Sequence, residues 1–543
     1  MNRSNERKIA DRPLRASITI VPEVLHPLPR TQYGHSIEHL GKCINSGIWA
    51  EGESPEMFLG GVRRELVDAI QSIHPSLIRY PGGCFADTYH WQDGIGPTAR
   101  RPRVKNKAWN RFPMLGKHLG PLEDNHFGTD EFMALCKEVG AEPQLTVNVG
   151  SGSSEEAAAW VEYCNGLKDS RWGALRAQNG HPEPYGVKYW AIGNEMFSFF
   201  ETGHMTPDRY VMTFNEYARA MRQVDPKIKL IGCGTMWPSR KRDDVNPVMM
   251  ALLGRRDDIN RTVLAGAGEE MDYLSVHLYG PNFFYTVRYH ILHQFLHRER
   301  SNSRKVYYDI LGSLNYMEDF MADNVGDVRT YTPKGKKISL AFDEWNLWYA
   351  FYSDVIESNF NLRDGLWVAS MLNMFHRYAP VMPLANLSQM VNCIGIICSS
   401  RKGTFLTPSG LVFKMYTEHA GDLLLSSHVD CPVIPHETEL PVLDLSATRR
   451  DDRLSLFLVN RHYDAAVDVA CLFRGIRIIS VDNYLEMTHP DPIHYNTYTE
   501  PDAIQIRKGH KAIKISCVGS GAAFDIQLPP HSLTCIEMSI EDG

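Results

Sequence analysis

The chain contains no unbroken apolar stretch of the roughly 18 residues that a membrane-spanning helix needs. It has no CxxC pair, no internal repeat and no low-complexity tract. Each absence narrows the field. Without the apolar stretch, nothing is expected to span a membrane. Met1–Ala16 is polar and charged with no apolar core, so no secretory signal is expected either. The 11 cysteines are odd in number and dispersed, most within apolar runs, as Cys136, Cys164, Cys233 and Cys393 are. That usage reads as free buried thiols in a reducing compartment, and a cytoplasmic protein is expected. Positive charge is not in excess. The 57 Lys and Arg against 64 Asp and Glu give a net −7, which disfavours a nucleic-acid partner and favours a neutral small substrate.

What is present is an ordinary globular composition, 43% hydrophobic and 22% charged over 543 residues. That length suits one large barrel plus an accessory domain. Between residues 33 and 390 short apolar runs alternate with longer amphipathic stretches. The runs predict eight strands: His35–Glu38, Leu77–Tyr80, Leu145–Val149, Tyr189–Asn194, Leu230–Gly234, Tyr273–His277, Ser339–Glu344 and Met382–Asn386. Helical spacing falls at Pro55–Ile73, Asp130–Val139, Glu155–Asn165 and Pro207–Val224, the last with Pro207 in its first turn and Thr206 as its cap. Eight strands alternating with helices describe a (β/α)8 TIM barrel, over 29–424, with a doubly wound sheet as the pattern's other solution. Beyond residue 425 the texture becomes short alternating strands between turn residues, at Leu454–Val459, Ala466–Phe473, Arg477–Leu485, Ala512–Cys517 and Ser532–Ile540. An all-β sandwich domain is expected over 425–543, with Ala16–Val24 of segment 1–28 joining it. The stretch 301–337 reads as an insertion with a helical middle.

Two of the barrel runs end abruptly in an acid, at Asn194-Glu195 and at Asp343-Glu344. Burying a carboxylate is costly unless it has a partner or a task. A pair of strand-terminal glutamates suggests glycoside hydrolysis, which uses paired carboxyls. Since a barrel of this type works at the C-terminal ends of its strands, the polar residues closing each run are the candidates: Glu38, Arg79 ahead of Pro81-Gly82-Gly83-Cys84, Asn148, Asn194 with Glu195, His277 with Tyr279, Glu344, and Asn386 with Gln389. Strand alternation turns Asp343 away from Glu344, so Asp343 is expected to be structural.

Several of these segments resemble glycoside hydrolase family 51, best known for α-L-arabinofuranosidases. They are YGHSIEHLGKCINSGIW (Tyr33–Trp49), RYPGGCFADTYHWQDGIGP (Arg79–Pro97), the Ala108–Phe132 stretch, WAIGNEM (Trp190–Met196), FDEWN (Phe342–Asn346) and LANLSQMVN (Leu384–Asn392). The resemblance implies a retaining mechanism, with Glu195 as general acid/base and Glu344 as nucleophile. It implies that Glu38, Asn194 and Gln389 bind sugar hydroxyls, that Tyr279 orients Glu344, and that Trp109 offers the sugar an apolar face, with His277 a further substrate-binding candidate. Cys84 stands where the resemblance implies a sugar-contacting asparagine, which leaves the glycone preference open. The implied substrate is a terminal α-L-arabinofuranosyl residue of arabino- or arabinoxylo-oligosaccharides, cleaved without metal or cofactor by a homo-oligomer, a hexamer by family habit. Competing readings are an endo-β-1,4-glucanase or xylan-acting enzyme of the same family and a non-catalytic carbohydrate binder. His35-Ser36-Ile37-Glu38-His39 also matches the H-x-x-E-H zinc signature, which requires a helix where this pattern is a strand's.

Overall fold

Eight short, almost fully buried runs wind into a closed parallel barrel in a computed structural model of the chain. The structure describes residues 13–52, 57–109, 122–236, 256–281, 304–348, 360–436, 439–509 and 513–542. The beginning of segment 1–28, Pro55, Asn110, 301–303 and Ala512 lie outside these residues. A first strand, β1 (Leu14–Pro27), precedes the barrel. The barrel follows as β2 (Gly34–Ser36), β3 (Leu77–Tyr80), β4 (Glu142–Val147), β5 (Tyr189–Ile192), β6 (Lys229–Cys233), β7 (Tyr273–Gly280), β8 (Ser339–Leu347) and β9 (Leu384–Ser388). Neighbours pair in parallel, and β9 closes on β2 through Leu387 opposite His35. The expected strand positions hold to within a few residues. β4 begins three residues early, at Glu142, and both β7 and β8 run three residues past their expected ends, β8 to Leu347 because Trp345 and Leu347 are themselves buried.

The inside of the barrel is layered. Leu77, Tyr189, Ala191, Ile231, Ala341 and Leu384 form a separate apolar plug, as barrel interiors do. Further along the same strands the interior turns polar. Asn386 donates to Gln144 at 2.9 Å, and Gln144 donates to Asp343 at 3.0 Å. This change from apolar to hydrogen-bonded polar side chains is what allows charge to collect at the strands' C-terminal ends.

Helices cover the barrel's outside. They include α1 (Arg64–Ser72), α2 (Thr129–Val139), α3 (Ser154–Asn165), α4 (Arg171–Gln178), α5 (Pro207–Val224), α6 (Arg256–Ala267), α7 (Arg304–Tyr331), α8 (Leu362–Tyr378) and α9 (Pro408–His419). The hydroxyl of Thr206 caps α5, with Pro207 in its first turn. α1 is shorter than the predicted helix, because Met57–Phe58 and Val62–Arg63 pair as a small hairpin ahead of it. The stretch read as an insertion is α7, the crossover from β7 to β8. It buries one face against both strands, which is the ordinary duty of a barrel helix.

The rest of the chain is sheet. The strands β10 (Leu423–Asp430), β11 (Leu443–Arg450), β12 (Arg453–Asn460), β13 (Val467–Phe473), β14 (Ile476–Met487), β15 (Arg507–Lys508), β16 (Ser516–Val518), β17 (Gly521–Leu528) and β18 (Ser532–Asp542) join β1 in one ladder. Its order is β15-β14-β18-β12-β11-β10-β1-β13-β17-β16. β14 also lies against β17, so the ladder folds over its own core. β1 sits inside it, antiparallel to β10 and parallel to β13. The strand predicted at Ala512–Cys517 is corrected to Ser516–Val518, an exposed edge strand. The stretch Ile513–Ile515 alternates but has no ladder partner.

Barrel and sheet meet where Tyr416 of α9 stacks on Phe457 of β12, centroids 4.0 Å apart at 22°. Both rings are buried. Phe457→Ala removes this contact and should cost about 3–5 kcal/mol, read as a lower midpoint in denaturant unfolding. A loss under about 1 kcal/mol would show that the stack does not hold the two parts together.

Candidate active site

Glu344 and Asp343 reach the site together through an irregularity in β8. Ser275 of β7 pairs with Ala341 of β8, but His277 pairs with Glu344. One residue of β7 therefore spans two of β8, which is a β-bulge. The bulge breaks the alternation that should have turned Asp343 away, and the expectation that it is merely structural is corrected. Asp343 accepts from the Ser275 hydroxyl at 2.6 Å and lies 3.3 Å from His277 Nε2 and 3.8 Å from Arg79 Nε.

Glu344 is held on both oxygens. The Tyr279 hydroxyl donates to Oε1 at 2.7 Å, and Arg79 Nη1 donates to Oε2 at 2.8 Å. Burial alone would push its carboxyl up, but the His277 and Arg79 charges and the Tyr279 hydroxyl bring it below the usual value. Glu344 is therefore ionised at neutral pH.

Glu195 behaves oppositely. It follows Gly193 (φ +76°) and takes φ +47° itself, a left-handed conformation that costs a non-glycine residue and recurs at functional sites. The turn swings its carboxyl back over the barrel mouth, where His277 Nδ1 donates to it at 2.8 Å. Burial raises its pKa, and the negative charge of Glu344 adds to this against the lowering influence of His277. Glu195 is thus pushed toward its protonated form and Glu344 away from it. A Glu195 oxygen, a His277 nitrogen and a Glu344 oxygen lie within 4.8 Å of one another.

His277 lies between the two carboxyls. Burial would strip its proton, but Glu344, Asp343 and Glu195 together raise its pKa to about 10, so it is an imidazolium. Its other nitrogen faces Ser275 Oγ at 3.0 Å and Asp343. Both ring nitrogens are thereby engaged by protein groups. The expectation that His277 binds substrate is corrected: no ring nitrogen is left for a sugar hydroxyl. Asp343, lowered to about 2 mainly by His277 and Arg79 against the cost of burial, completes a balanced set of two anions and two cations.

The other predicted residues line one side of the mouth. Glu38 accepts from Gln389 at 2.9 Å, from the Trp109 indole at 3.2 Å and from the Phe85 amide at 3.0 Å. Burial, with the Glu344 charge, raises it to about 7. Asn194 accepts from Arg79 at 2.6 Å. The glycine pair explains how tightly this wall packs. A Cβ on Gly82 would lie 2.2 Å from the Glu38 side chain, and one on Gly83 would lie 3.0 Å from Glu344 Oε2. The half-buried Cys84 that follows stands within 4.8 Å of both Glu195 and Glu201. His35 and His39 do not converge with Glu38. His35 packs on Phe413, and His39 bonds Glu123, so the zinc-signature geometry is not formed.

Sequence reasoning missed Asp87, Glu201, Gln144 and Ser275. Asp87 accepts from the amides of Val149, Gly150 and Asn194 and so ties the second strand's loop to those after β4 and β5. It lies inside the quoted Arg79–Pro97 motif, but nothing in the spacing singled it out. Glu201 Oε1 accepts from Asn194 at 3.3 Å. It lies in a turn-rich loop with no periodicity to flag it.

Residues 69–294 match the α-L-arabinofuranosidase 1 domain family, and residues 343–532 match the α-L-arabinofuranosidase C-terminal domain family. Among curated relatives, α-L-arabinofuranosidase C of Emericella nidulans is 31% identical, over 80% of this chain and 82% of its own length. The intracellular exo-α-L-arabinofuranosidase of Bacteroides ovatus is 30% identical over 94% of this chain and 93% of its own. Among solved structures, the α-L-arabinofuranosidase of Thermotoga maritima in its arabinose complex aligns with a TM-score of 0.81 at 31% identity, covering 96% of this chain and all of that one.

The electrostatics generate a test with a defined sign. His277 lowers the pKa of both Glu344 and Glu195, so His277→Gln should raise both. In a profile of kcat/KM against pH, the acid and alkaline limbs should both move to higher pH, and the maximum should fall by about 10²-fold or more. Limbs that stay in place would mean that His277 carries no charge.

Proposed function

This chain belongs to glycoside hydrolase family 51, among its α-L-arabinofuranosidases, and on that premise we propose a retaining double displacement with Glu344 as nucleophile and Glu195 as general acid/base. The observation that carries this reading is the pairing, with oxygens within 4.8 Å, of one carboxyl held below its ordinary pKa with another raised above it. Retaining enzymes hold their two carboxyl groups about 5–5.5 Å apart, whereas inverting ones need about 6.5–9.5 Å to admit a water.

In the first step a Glu344 oxygen bonds to the anomeric carbon as the glycosidic bond breaks, and the Glu195 proton passes to the departing alcohol oxygen. Glu344 becomes a neutral ester and Glu195 a carboxylate. In the second step Glu195 takes a proton from water, whose oxygen displaces Glu344 from the sugar. Configuration is inverted twice and so retained. Glu38, Gln389, Trp109, Asn194 and Cys84 hold the sugar ring, with Glu38 presenting an oxygen already positioned by two side-chain donors.

The proposed substrate is a terminal α-L-arabinofuranosyl residue on a short arabino- or arabinoxylo-oligosaccharide. The intracellular, exo-acting relative from Bacteroides ovatus supports both that choice and a cytoplasmic location. Among the described residues no helix is long and apolar enough to cross a membrane. The catalytic barrel is assigned to 29–424 and the sheet domain to 425–543 with 1–28, in a homo-oligomer, by family resemblance a hexamer.

Initial rates on aryl α-L-arabinofuranoside, β-D-xyloside, β-D-glucoside and β-D-cellobioside test the substrate, and only the first should turn over well. Preference for a glucoside or cellobioside would overturn the glycone assignment. Glu344→Ala should abolish turnover of every substrate. Glu195→Ala should slow substrates with poor leaving groups by about 10²–10⁴-fold while sparing activated aryl leaving groups in the first step. Equal losses for both would remove the acid/base role from Glu195.

A further inference from the structure

The catalytic charges balance on one side of Glu195 and fail to balance on the other. Toward β7 and β8, Asp343 and Glu344 face Arg79 and His277. On the opposite side lie Cys84, from the loop after β3, and Glu201, from the loop after β5. One ligand atom of each, together with a Glu195 oxygen, falls within 4.8 Å of the other two. Glu201 is only 4% exposed. Its Oε1 takes the Asn194 amide, but its Oε2 has no hydrogen-bond partner. Burial and the neighbouring carboxyls of Asp87, Glu195 and Glu38 raise the Glu201 pKa, and the Cys84 thiol, a weak donor beside it, is what lowers it. The nearby cations, Arg79 and His277, direct their hydrogen bonds to Glu344, Asn194 and Glu195.

A buried carboxyl oxygen without a donor is costly. A soft thiol beside two carboxyls is the donor set that zinc-class cations select over hard ones. We propose that Cys84, Glu195 and Glu201 form a binding site for a thiophilic divalent cation of the zinc class, and that its occupation switches the enzyme off. Zinc bonds sulfur at about 2.3 Å and carboxylate oxygen at about 2.0–2.2 Å. Ligand atoms around a tetrahedral ion therefore sit roughly 3.3–3.7 Å apart, so the three groups need to close by only about 1 Å. A water completes the set. Binding forms one metal–sulfur and two metal–oxygen bonds. The Cys84 thiol and the protonated carboxyls release their protons to solvent, with no change in oxidation state. The switch itself rests on Glu195 being the acid/base, because a metal-bound Glu195 has no proton to give.

The full chain is titrated with cadmium chloride, following the ultraviolet thiolate-to-cadmium charge-transfer band. Zinc chloride is titrated in parallel against hydrolysis of an aryl α-L-arabinofuranoside and against thermal unfolding. The native chain should show a saturable band, inhibition and a rise in Tm. Cys84→Ser should abolish the band beyond the background common to both proteins, to which the exposed Cys517 contributes. Glu201→Gln, which is isosteric, should weaken both cadmium and zinc binding by about tenfold or more. A band, inhibition and Tm shift unaltered in Cys84→Ser would overturn the site, as would full affinity in Glu201→Gln. Binding that is lost in both variants but leaves native turnover intact would keep the site and remove Glu195 from its catalytic role.

Discussion

The arrangement of this active site depends on one imidazolium. His277 stands 2.8 Å from Glu195 and 3.6 Å from Glu344, and its charge is maintained by Asp343 from behind. A retaining mechanism moves one negative charge from the nucleophile to the acid/base and back. Here both resting places border the same fixed cation, so the charge migrates without leaving its counter-ion. In a buried site, where an uncompensated charge costs several kcal/mol, this arrangement lets the proposed double displacement proceed without stranding a charge. Arg79 does the complementary work. It bonds Glu344 and Asn194 together and so fixes Glu344 relative to the residue preceding Glu195.

That constraint reaches back into the backbone. For His277 to be backed by Asp343 and to face Glu344, two consecutive residues of β8 must project toward the same cluster, which a regular strand forbids. The bulge opposite Val276 supplies the missing residue. The left-handed turn at Glu195 brings the second carboxyl to the imidazolium from a strand two places away around the barrel. The approach of Gly82 and Gly83 leaves room for Glu38 and Glu344 on the remaining side. Irregular backbone thus concentrates where the charges meet, while the apolar plug beneath is regular.

This division explains what could be read from the chain. The barrel strands were legible because each is a run of apolar residues buried on both faces, and their ends located Glu38, Arg79, Asn194, Glu195, Tyr279 and Glu344. Asp343 was misplaced because the rule applied to it, alternation, is the rule a bulge breaks, and no residue in Phe342-Asp343-Glu344 announces the bulge. His277 was read as a sugar ligand because a strand-end histidine looks the same whether its nitrogens face a ligand or two carboxylates. The β-domain strands Leu423–Asp430, Leu443–Arg450 and Gly521–Leu528 escaped because charged or small residues interrupt their patterns. α7 was taken for an insertion because its polar ends hide a barrel helix of 28 residues.

The same imidazolium accounts for the asymmetry around Glu195. Its charge and that of Arg79 go mainly to Asp343 and Glu344, leaving Glu38 only a minor share from Arg79 and neither cation among the influences on Glu201 and Cys84. Those groups sit among like charges and away from water, and the least costly compensation is to retain their protons. Glu38 is raised to about 7, and the carboxyl of Glu201 lies higher than usual for the same causes, burial first and neighbouring acids second. An acid raised in this way can donate as well as accept hydrogen bonds when it holds its proton, which suits a sugar whose hydroxyls do both. That proton is also one a cation can displace. The acids that suit an uncharged substrate are thus the same groups that the proposed cation site uses.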